Sequence, residues 1–456
     1  MVGLSIGQDI SIQYGGSARV LGILGSGGQG TVYRVDFHGK PMALKWYDIS
    51  KISSPEEFRR NIENNIDDGA PDKRFVWPQF MTEVNADGEF GYLMEIMPEN
   101  YVQLTDVITS FRQVSDPLTG RLASRPVLFS GLFANLTAAI NIVSAMGELH
   151  RVGKSYQDLN DGGFFIDTET GDVLVCDCDN IAPEGSNFGI SGKQGYMAPE
   201  IVRGMAVPDV QTDKYSLAVL LFRMLFRADP LEGERVLGAG ALTDNARRMA
   251  YGNNGVFIFD PEDTSNRPVA GIHDRTVSLW EFFPQYIRDA FIRSFTLGMG
   301  DPSKRLIESE WKQLFIRLRA EILSCVCGAE TFCVNDMTPR NTCRCPACAR
   351  EYAVLEYNKN SIKAPMYCGY KIRVCELDPL YADTDTVLGE VVENRLDRSM
   401  PGIKNCTPLV WRAVLPDGKV YNVREGKGVP VWGGLRMEIG NIRARALQPP
   451  AQKEKL

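Results

Sequence analysis

The stretch GSGGQGTVYRV, residues 25–35, constrains the fold more than any other part of the sequence. Alternating apolar residues lead into its glycines (RVLGIL) and leave them again (GTVYRVDF), and PMALKWYDI returns after the turn HGK. A period of two with tight turns is typical of antiparallel strands. A Rossmann glycine loop would instead run from a strand into a helix. We expect a small antiparallel sheet over residues 8–48, and the loop alone leaves a phosphate cradle and a plain hairpin as alternatives.

A helix should follow this sheet. The segment SPEE (54–57) has the pattern of a capping box with proline at the first helical position. Apolar residues then recur at every fourth position, at Phe58, Ile62 and Ile66. Gly69 can end the helix. Glu63 lies beside the apolar stripe, so we expect that it can face inward.

The order of the remaining elements predicts an α+β chain. EFGYLMEIM (89–97) has the pattern of one more strand. From about residue 104 the pattern is mostly helical, with amphipathic runs near 127–150, 212–227, 286–297 and 307–322. The least polar of these, Val127 to Glu148, contains several polar residues, which favours a buried helix over a membrane span. A small sheet-rich part should therefore precede a larger helical part.

Composition excludes some classes of function. A chain of 456 residues is too long for one ordinary core. Its net charge of -7 argues against a broad nucleic-acid surface. The start MVGLSIGQDI lacks the basic start and apolar core of a signal peptide. Cysteines are dense late in the chain, which in this context favours a metal site over disulfides. We expect a cytoplasmic protein that binds neither nucleic acid nor membrane.

A set of charged residues follows the glycine loop in a fixed order. Its members, each in a short motif, are Lys45 (MALK), Glu63 on the next helix, Asp158 (YQDLNDGG), Asp177 (CDCDN), Glu200 (GYMAPE), Asp213 (DKYSLAVLLF) and Arg305 (DPSKR). Each residue alone is unremarkable on a protein surface. Their order and spacing together indicate a function.

With these motifs the chain resembles the eukaryotic-like Ser/Thr protein kinases over roughly residues 15–322. It is most similar to bacterial kinases found with tellurite-resistance-type gene sets, beside a phosphatase and a von Willebrand-type protein. GDVLVCDCDN and the later cysteines suggest this subgroup. The resemblance implies a two-lobed kinase fold, with an N-lobe over 1–100 and a C-lobe over 101–322. It also implies ATP, Mg²⁺, protein substrates and those two proteins as partners.

The resemblance also implies a role for each matching residue. Asp158 would orient the acceptor hydroxyl and take its proton, Lys45 would hold the α- and β-phosphates, and Glu63 would fix Lys45. Glu200 and Arg305 would form a buried pair. Asp213 would hold in place the catalytic loop, which is the segment YQDLNDGG that contains Asp158. The nucleotide and its Mg²⁺ would be held by Gly25, Ser26, Gly27, Gly28, Gln29, Gly30, Val32, Ala43, Lys45, Met94, Glu95, Met97, Phe165 and Asp177.

Four departures from the family pattern bear on activity. Gly163 stands where a second Mg²⁺ ligand, asparagine, is usual, and Asn160 stands where Ser/Thr kinases have lysine. Asp177-Cys178-Asp179 replaces Asp-Phe-Gly, and Tyr156-Gln157 replaces His-Arg. Because Mg²⁺ prefers carboxylate oxygen, we hypothesise that Asp179 supplies the missing ligand, with Asp161 as a weaker candidate. The alternative is a degraded metal site in a nucleotide-binding pseudokinase scaffold.

The fourth departure predicts how the protein is regulated. In the family, an arginine at the position of Gln157 neutralises a phosphate on the activation segment, which is the stretch from Asp177 to Glu200 in this chain. Gln157 carries no charge and cannot do so. Between Asp177 and Glu200 the hydroxyl candidates are Ser186 and Ser191. We predict that their phosphorylation is not the main switch.

The late cysteines predict a structural zinc site in a zinc ribbon over residues 323–352. CVCG and CPAC offer four thiolates, Cys325, Cys327, Cys345 and Cys348, on two tight turns. Four thiolates leave no open position on Zn²⁺, which excludes a catalytic role. Cys343 is the reserve ligand, and free buried thiols are the alternative.

A β-rich module should follow over residues 353–447. PLVWRAVLPDGKVYNV alternates around Pro416-Asp417-Gly418, a hairpin signal, and VPVWGGLRMEIG adds two short strands. The pattern suggests a small β-sandwich, vaguely similar to forkhead-associated domains. No histidine follows His273, so the phosphopeptide-binding histidine of that family has no counterpart. We expect a partner-docking role, and a disordered tail over 448–456.

Overall fold

The computed structural model describes residues 3–115, 122–190, 192–238, 243, 246, 248–357, 361–378, 383–394, 401–431, 433–440 and 442–447. The chain divides into two compact units. The first comprises Met1–Phe129, Asn141–Leu279 and Asp289–Glu308, and the second Ser130–Ile140, Trp280–Arg288 and Ser309–Leu456. The predicted tail, 448–456, lies outside the described residues.

The strands of the first unit form an antiparallel sheet followed by smaller pairings. They are β1 (Asp9–Ser11), β2 (Ser17–Ser26), β3 (Gly30–Phe37), β4 (Lys40–Tyr47), β5 (Phe80–Met81), β6 (Gly91–Met94), β7 (Tyr101–Gln103), β8 (Phe111–Ser115), β9 (Leu122–Pro126), β10 (Lys154–Ser155), β11 (Phe164–Asp167), β12 (Asp172–Val175) and β13 (Ala182–Pro183).

The helices lie mainly after residue 103, as the periodicity predicted. They are α1 (Pro55–Asp68), α2 (Leu104–Thr109), α3 (Leu132–Arg151), α4 (Pro199–Val202), α5 (Val210–Phe226), α6 (Glu234–Leu237), α7 (Asp274–Phe282), α8 (Gln285–Phe295), α9 (Leu297–Gly300), α10 (Glu308–Ala320) and α11 (Val374–Leu377).

The first sheet has the strand order β1-β2-β3-β4-β6-β5. The glycine loop joins β2 to β3, which pair antiparallel, so the expected antiparallel sheet is confirmed. β3 pairs in turn with β4, with Val32 opposite Lys45. This register places the lysine beside the glycine loop, on a strand whose last six residues are buried.

Helix α1 confirms the predicted helix but not its cap. Pro55 lies in its first turn, and Gly69 at its C-cap has a positive φ of 77°. The hydroxyl of Ser54 makes no capping hydrogen bond in the part of the chain that the structure describes, so the predicted capping box is wrong. The Ser54 backbone, at φ −136° and ψ 78°, lies outside the extended conformation typical of an N-cap.

Helix α3 is the one described helix that is long and apolar enough to cross a membrane. It begins at Leu132, later than the Val127 that the sequence suggested. Sixty-one per cent of its apolar window is buried inside the protein. That burial is typical of the core helix expected there.

The second unit contains short strands around the cysteines and two larger antiparallel sheets. Its strands are β14 (Ile322–Ser324), β15 (Glu330–Phe332), β16 (Cys343–Arg344), β17 (Glu351–Tyr352), β18 (Val354–Tyr357), β19 (Ile362–Pro365), β20 (Lys371–Arg373), β21 (Val387–Val392), β22 (Gly402–Asn405), β23 (Trp411–Val414), β24 (Val420–Val423), β25 (Gly428–Pro430), β26 (Arg436–Ile439) and β27 (Ile442–Ala446).

The two larger sheets have the orders β19-β18-β27-β26-β23-β24 and β20-β21-β22-β25. Trp411 and Leu355 from the first sheet and Ile403 and Val429 from the second belong to one buried core. The predicted hairpin joins β23 and β24, and Gly418 in its turn has a φ of 85°. Two antiparallel sheets around one core are the arrangement of a small β-sandwich.

Candidate active site

A cavity of about 420 Å³ lies beside the glycine loop in the first unit. This volume is within the usual range for a small-molecule site. The residues that line it are Gly27, Gly28, Gln29, Gly30, Val32, Lys45, Lys51, Ile52, Ser53, Phe58, Asp158, Asp177, Asn180, Phe188, Gly189, Ile190, Gly192 and Lys193. Three of the predicted functional residues, Lys45, Asp158 and Asp177, therefore meet at one cavity although they are far apart in sequence.

Lys45 is almost fully buried and makes two ion pairs. Its Nζ lies 3.1 Å from Asp177 Oδ1, and 2.9 and 2.7 Å from Oδ1 and Oδ2 of Asp179. Burial lowers the pKa of Lys45, but the two carboxylates outweigh burial and raise it. The lysine is therefore held in its charged form.

Asp179 is completely buried, and hydrogen-bond donors surround its carboxylate. Oδ2 accepts from the Tyr47 hydroxyl at 2.6 Å and Oδ1 from the Tyr92 hydroxyl at 3.1 Å, in addition to the two contacts with Lys45. Burial would raise the pKa of Asp179, but the Lys45 charge and these hydrogen bonds lower it. An ionised carboxylate offers about four acceptor sites, and all are used. In this structure the Asp179 oxygens bind Lys45 and two tyrosines. That Asp179 supplies a Mg²⁺ ligand, directly or through water, stays a prediction.

Glu63 does not contact Lys45. Its carboxylate lies 3.0 Å from Arg59, one helical turn away on α1, and accepts from Gln13 at 3.4 Å. The predicted Lys45–Glu63 pair is thus replaced by Lys45–Asp179. The physical reason is that Asp179 is buried and two tyrosine hydroxyls also donate to its carboxylate. The Glu63 side chain, in contrast, remains 30% exposed.

Asp158 carries an unpartnered acceptor at the cavity. Its Oδ1 is buried and has no hydrogen-bond partner in the part of the chain that the structure describes. Burial raises the pKa of Asp158, and the Asp177 charge adds to this effect. The Lys193 N–H and charge and the Asn160 side chain oppose the rise without cancelling it. A buried acceptor with a raised pKa suits a group that takes a proton from a substrate.

Asp213 orders the backbone just before Asp158, as predicted. Its carboxylate accepts from the N–H groups of Tyr156 at 2.5 Å and Gln157 at 3.1 Å. The same carboxylate lies 3.2 Å from His150 Nε2, whose Nδ1 lies 2.8 Å from Glu308. Burial lowers the pKa of His150, but the two carboxylates raise it to about 9.

His150 is a residue that the sequence reasoning missed. It lies outside the YQDLNDGG motif, at the end of α3, and only its pairing with Asp213 connects it to the catalytic loop. A histidine near the end of a helix that precedes the motif was the available signal.

The absence of a side chain at Gly163 has a local cause. A Cβ at this position would lie 2.2 Å from the Tyr156 hydroxyl, which donates to Cys176 O at 2.5 Å. The tyrosine therefore occupies the space that a second metal ligand would need. Asp177, the predicted Mg²⁺ ligand, lines the cavity, and its side chain is half exposed.

Asn160 and Asp161 serve local structure. The Asn160 amide donates to Asp158 O at 2.7 Å, and its Oδ1 accepts from Gly162 N at 2.8 Å. Asp161 lies 2.5 Å from Lys193 Nζ. Asp161 is therefore paired with a lysine, and its weaker candidacy as a Mg²⁺ ligand stays a prediction.

Gln157 binds the activation segment directly. Its Nε2 donates to Ser186 O at 2.5 Å, and its Oε1 accepts from Asn187 Nδ2 at 3.0 Å. These are neutral contacts to a segment that an arginine would otherwise hold through a phosphate. The other hydroxyl candidate, Ser191, lies outside the described residues.

The predicted adenine-binding residues lie on strands of two different sheets. Ala43 on β4 pairs with Met94 on β6, and Phe165 on β11 pairs with Gln103 on β7. Of the predicted nucleotide-binding residues, Gly25, Ser26, Ala43, Met94, Glu95, Met97 and Phe165 are not among the described residues that line the cavity. Their roles stay predictions.

The predicted Glu200–Arg305 pair is present. Arg305 Nη1 and Nη2 bind the two Glu200 oxygens at 2.7 and 2.8 Å, and Nη1 also donates to Gln211 O. A bidentate pair of this kind has a defined geometry, and Arg305 is buried. The pair therefore anchors the end of the activation segment.

The cysteine cluster lies in the second unit. Four sulfur atoms all lie within 4.8 Å of one another, those of Cys325, Cys327, Cys345 and Cys348. The Sγ atoms of Cys325 and Cys348 are 3.5 Å apart, and those of Cys327 and Cys345 are 3.7 Å apart. Four sulfurs bound to Zn²⁺ at about 2.3 Å would be about 3.8 Å apart, whereas a disulfide needs about 2.05 Å. The donor set and its spacing fit a tetrahedral thiolate site.

Two tight turns bring these cysteines together. Cys325 N donates to Ala329 O at 2.9 Å, and Cys345 N donates to Arg350 O at 2.8 Å. The Tyr352 hydroxyl lies 3.0 Å from Cys325 Sγ. Burial raises the pKa of Cys325, but the Cys327 N–H and this hydroxyl lower it to about 6. Cys343, the reserve ligand, is buried and stands outside the set of four.

Comparison with known proteins agrees with this geometry. The family model for the protein kinase domain matches residues 18–251, just over half of the chain. A relative described as serine/threonine-protein kinase mos, from Patiria pectinifera, is 25% identical over 240 residues. Ribosomal protein S6 kinase alpha-4 from Mus musculus is 38% identical over 101 residues.

The first match covers 50% of this chain and 62% of the relative, and the second covers 21% and 13%. A solved structure, the kinase domain of Mycobacterium tuberculosis PknI, is 17% identical with a TM-score of 0.41, and the match covers 68% of this chain and 96% of that one. The match of the family model together with the meeting of Lys45, Asp158 and Asp177 establishes that the chain belongs to the protein kinase family.

Proposed function

We propose that this protein transfers the γ-phosphoryl group of ATP to a serine or threonine hydroxyl of a protein substrate. The observation that carries the proposal is the meeting of Lys45, Asp158 and Asp177 at one cavity beside the glycine loop. Ser/Thr kinases among the relatives favour this acceptor class.

Each of these residues has a distinct task in the proposed reaction. Lys45 is charged and fixed at the cavity by two carboxylates, so its positive charge can attract the phosphate oxygens of a bound nucleotide. Asp158 has a buried free oxygen and a raised pKa, so it can accept the proton of the acceptor hydroxyl. Asp177 would hold Mg²⁺, which neutralises phosphate charge when it is bound.

A second candidate is a nucleotide-binding scaffold without transferase activity. The Tyr156 hydroxyl fills the space at Gly163 where a second metal ligand would stand, and this observation favours the scaffold. The intact set of Lys45, Asp158 and Asp177 favours the kinase, because a scaffold would not require the unpartnered oxygen of Asp158.

Label transfer from γ-labelled ATP to dephosphorylated casein, and to the chain itself, tests the proposal. We expect transfer by the natural protein and a loss of about 10³-fold in Asp158→Asn. ADP should bind equally well to both, since the substitution removes a base and not a phosphate contact. The scaffold is favoured if the natural protein binds ADP but transfers no label, or if Asp158→Asn transfers as much label as the natural protein.

We further propose that the cysteine cluster is a structural zinc site within a zinc ribbon. The sulfur spacing and the two turns support this assignment. The two-sheet module that follows would dock a partner. A bacterial, cytoplasmic kinase that acts with a phosphatase and a von Willebrand-type protein is the context we propose, on the motif GDVLVCDCDN and the cysteine cluster.

A further inference from the structure

Three lysines line the cavity: Lys45, Lys51 and Lys193. Lys45 is committed to two carboxylates. Lys51 is 52% exposed and lies 3.5 Å from Asp48. The YQDLNDGG loop contains no lysine or arginine, and the Asn160 amide is bonded to the backbone of its own loop. The part of the cavity beside Asp158 therefore has Lys193 as its cation.

The backbone of the activation segment determines where Lys193 lies. Gly192 has a φ of +92°, and a Cβ there would lie 3.4 Å from Gln157 O and 3.9 Å from Asp158 Oδ1. The positive φ favours glycine at this position, and the segment lies within van der Waals distance of Asp158. The next residue is Lys193, so its side chain starts at the site of the proposed proton transfer.

A carboxylate and an aromatic ring then hold the ammonium group. Nζ lies 2.5 Å from Asp161 Oδ1 and 5.6 Å from the centre of the Tyr196 ring. The Asp161 side chain is 8% exposed, whereas that of Lys193 is 45% exposed. An ammonium group has three donors, and the Asp161 oxygen uses one of them. The group is therefore fixed on one side and keeps two donors, on a partly exposed side chain of a residue that lines the cavity.

We propose that Lys193 is a catalytic residue whose ammonium group binds the γ-phosphoryl oxygens during transfer. The proposal rests on the proposed kinase function. In this step the acceptor hydroxyl oxygen forms a bond to the γ-phosphorus, and its proton passes to Asp158. The bond from the γ-phosphorus to the bridging oxygen breaks, and its electron pair leaves on ADP. Lys193 offsets the negative charge on the transferred group and takes up neither proton nor electrons.

The location of Lys193 would make catalysis depend on the position of the activation segment. Because Lys193 belongs to the activation segment and not to the catalytic loop, a displaced segment would remove a catalytic charge from the cavity. Asp161 acts as a positioning residue that holds this charge in place.

Binding and transfer by Lys193→Met test the proposal, with Lys419→Met, at an exposed lysine that pairs with Asp417 in the second unit, as the matched control. Titration calorimetry with Mg²⁺ and either ATP or ADP measures the two affinities. We expect Lys193→Met to weaken ATP about tenfold and ADP less than about twofold, because ADP lacks the γ-phosphate. Lys419→Met should leave both affinities within about twofold. Retained ADP binding also shows that the variant is folded.

Transfer of label to dephosphorylated casein gives the second measurement. We expect kcat to fall about 100-fold in Lys193→Met and to stay within about fivefold in Lys193→Arg. The double variant Asn160→Lys with Lys193→Met moves the cation into the catalytic loop, and at least tenfold of the lost kcat should return.

The proposal is overturned if Lys193→Met keeps its kcat, or if it weakens ATP and ADP equally, which would indicate a merely structural Lys193–Asp161 pair. An unrestored double variant also contradicts it, since a cation alone would then not be sufficient. If the natural protein transfers no label, the kinase function fails, and the ratio of ATP to ADP affinities still tests whether Lys193 binds the γ-phosphate.

Discussion

The nucleotide cavity and the cysteine cluster are assembled over very different distances along the chain. Lys45 meets Asp179 across 134 residues, whereas Cys325 meets Cys348 across 23. In the cluster each pair of cysteines lies on one tight turn, so the turn itself sets the geometry. In the cavity the partners come from separate elements, and a carboxylate from one element can replace a carboxylate from another. For residues close together in sequence, the spacing thus predicts which individual residues are ligands. For residues far apart in sequence, the order of motifs predicts only which kinds of residue meet.

Removal of the metal should produce the largest effect. We expect one zinc ion per natural chain and none in Cys345→Ser, because three thiolates leave the tetrahedral site incomplete. The lost binding energy, about 10 kcal/mol, should appear as lost hydrogen-exchange protection over residues 321–352. Native mass spectrometry gives the zinc content.

The controls for this experiment are two cysteines outside the set of four. The exposed Cys368→Ser and the buried Cys343→Ala should each keep the zinc ion. If Cys343→Ala alone lost the zinc ion, Cys343 would be a ligand in place of one of the four. The cluster would then be no better predicted from its spacing than the nucleotide cavity.

Exchange of the lysine's partner should have the next largest effect. Asp179→Asn leaves the buried Lys45 with only Asp177, and we expect about 3 kcal/mol of lost unfolding free energy and at least tenfold weaker ATP binding. Glu63→Gln, the matched change on a partly exposed pair with Arg59, should cost about 0.5 kcal/mol or less. Denaturant unfolding and ATP titration measure both. A larger effect of Glu63→Gln would show that the working enzyme forms the Lys45–Glu63 pair after all.

The His150 network should give a smaller, pH-dependent effect. The pKa of His150 is raised to about 9, so the stability it contributes is complete below about pH 6.5 and is lost as the pH rises through 9. A shift of this size corresponds to about 3 kcal/mol spread over that interval. Unfolding free energies of the natural protein should fall between pH 6.5 and 9.

In His150→Gln this slope should flatten, because the remaining amide does not titrate. His38→Asn, a change in an exposed turn between β3 and β4, should keep the slope. An equal slope in all three proteins would exclude His150 as its source.

Much of the fold followed from sequence pattern, but the partners of the charged residues did not. Strands β2 to β4, helix α1 with Gly69 at its end, and the hairpin at Gly418 were all predicted, because each depends on residues close in sequence. The Lys45–Asp179 pair could not be predicted from periodicity. It depends on the hydroxyls of Tyr47 and Tyr92 meeting the same carboxylate, which only the packed structure determines.

The four cysteines came from local spacing, and their sulfur distances fit the site assigned to them. His150 escaped notice for the opposite reason. Along the chain it is marked only by its position near the end of the helix before the YQDLNDGG motif, and its two carboxylate partners, Asp213 and Glu308, are brought to it by other elements.

The contact between Tyr156 and position 163 also limits the routes by which this loop can change. A single Gly163→Asn substitution would place its first side-chain atom against the Tyr156 hydroxyl before any metal ligand could form. Removal of the hydroxyl alone would free the Cys176 carbonyl and create no ligand. The departures from the family motif at Tyr156 and Gly163 are therefore coupled, because the tyrosine hydroxyl fills the space that a side chain at position 163 would need. A chain could regain the asparagine only if the tyrosine gave way first or in the same step.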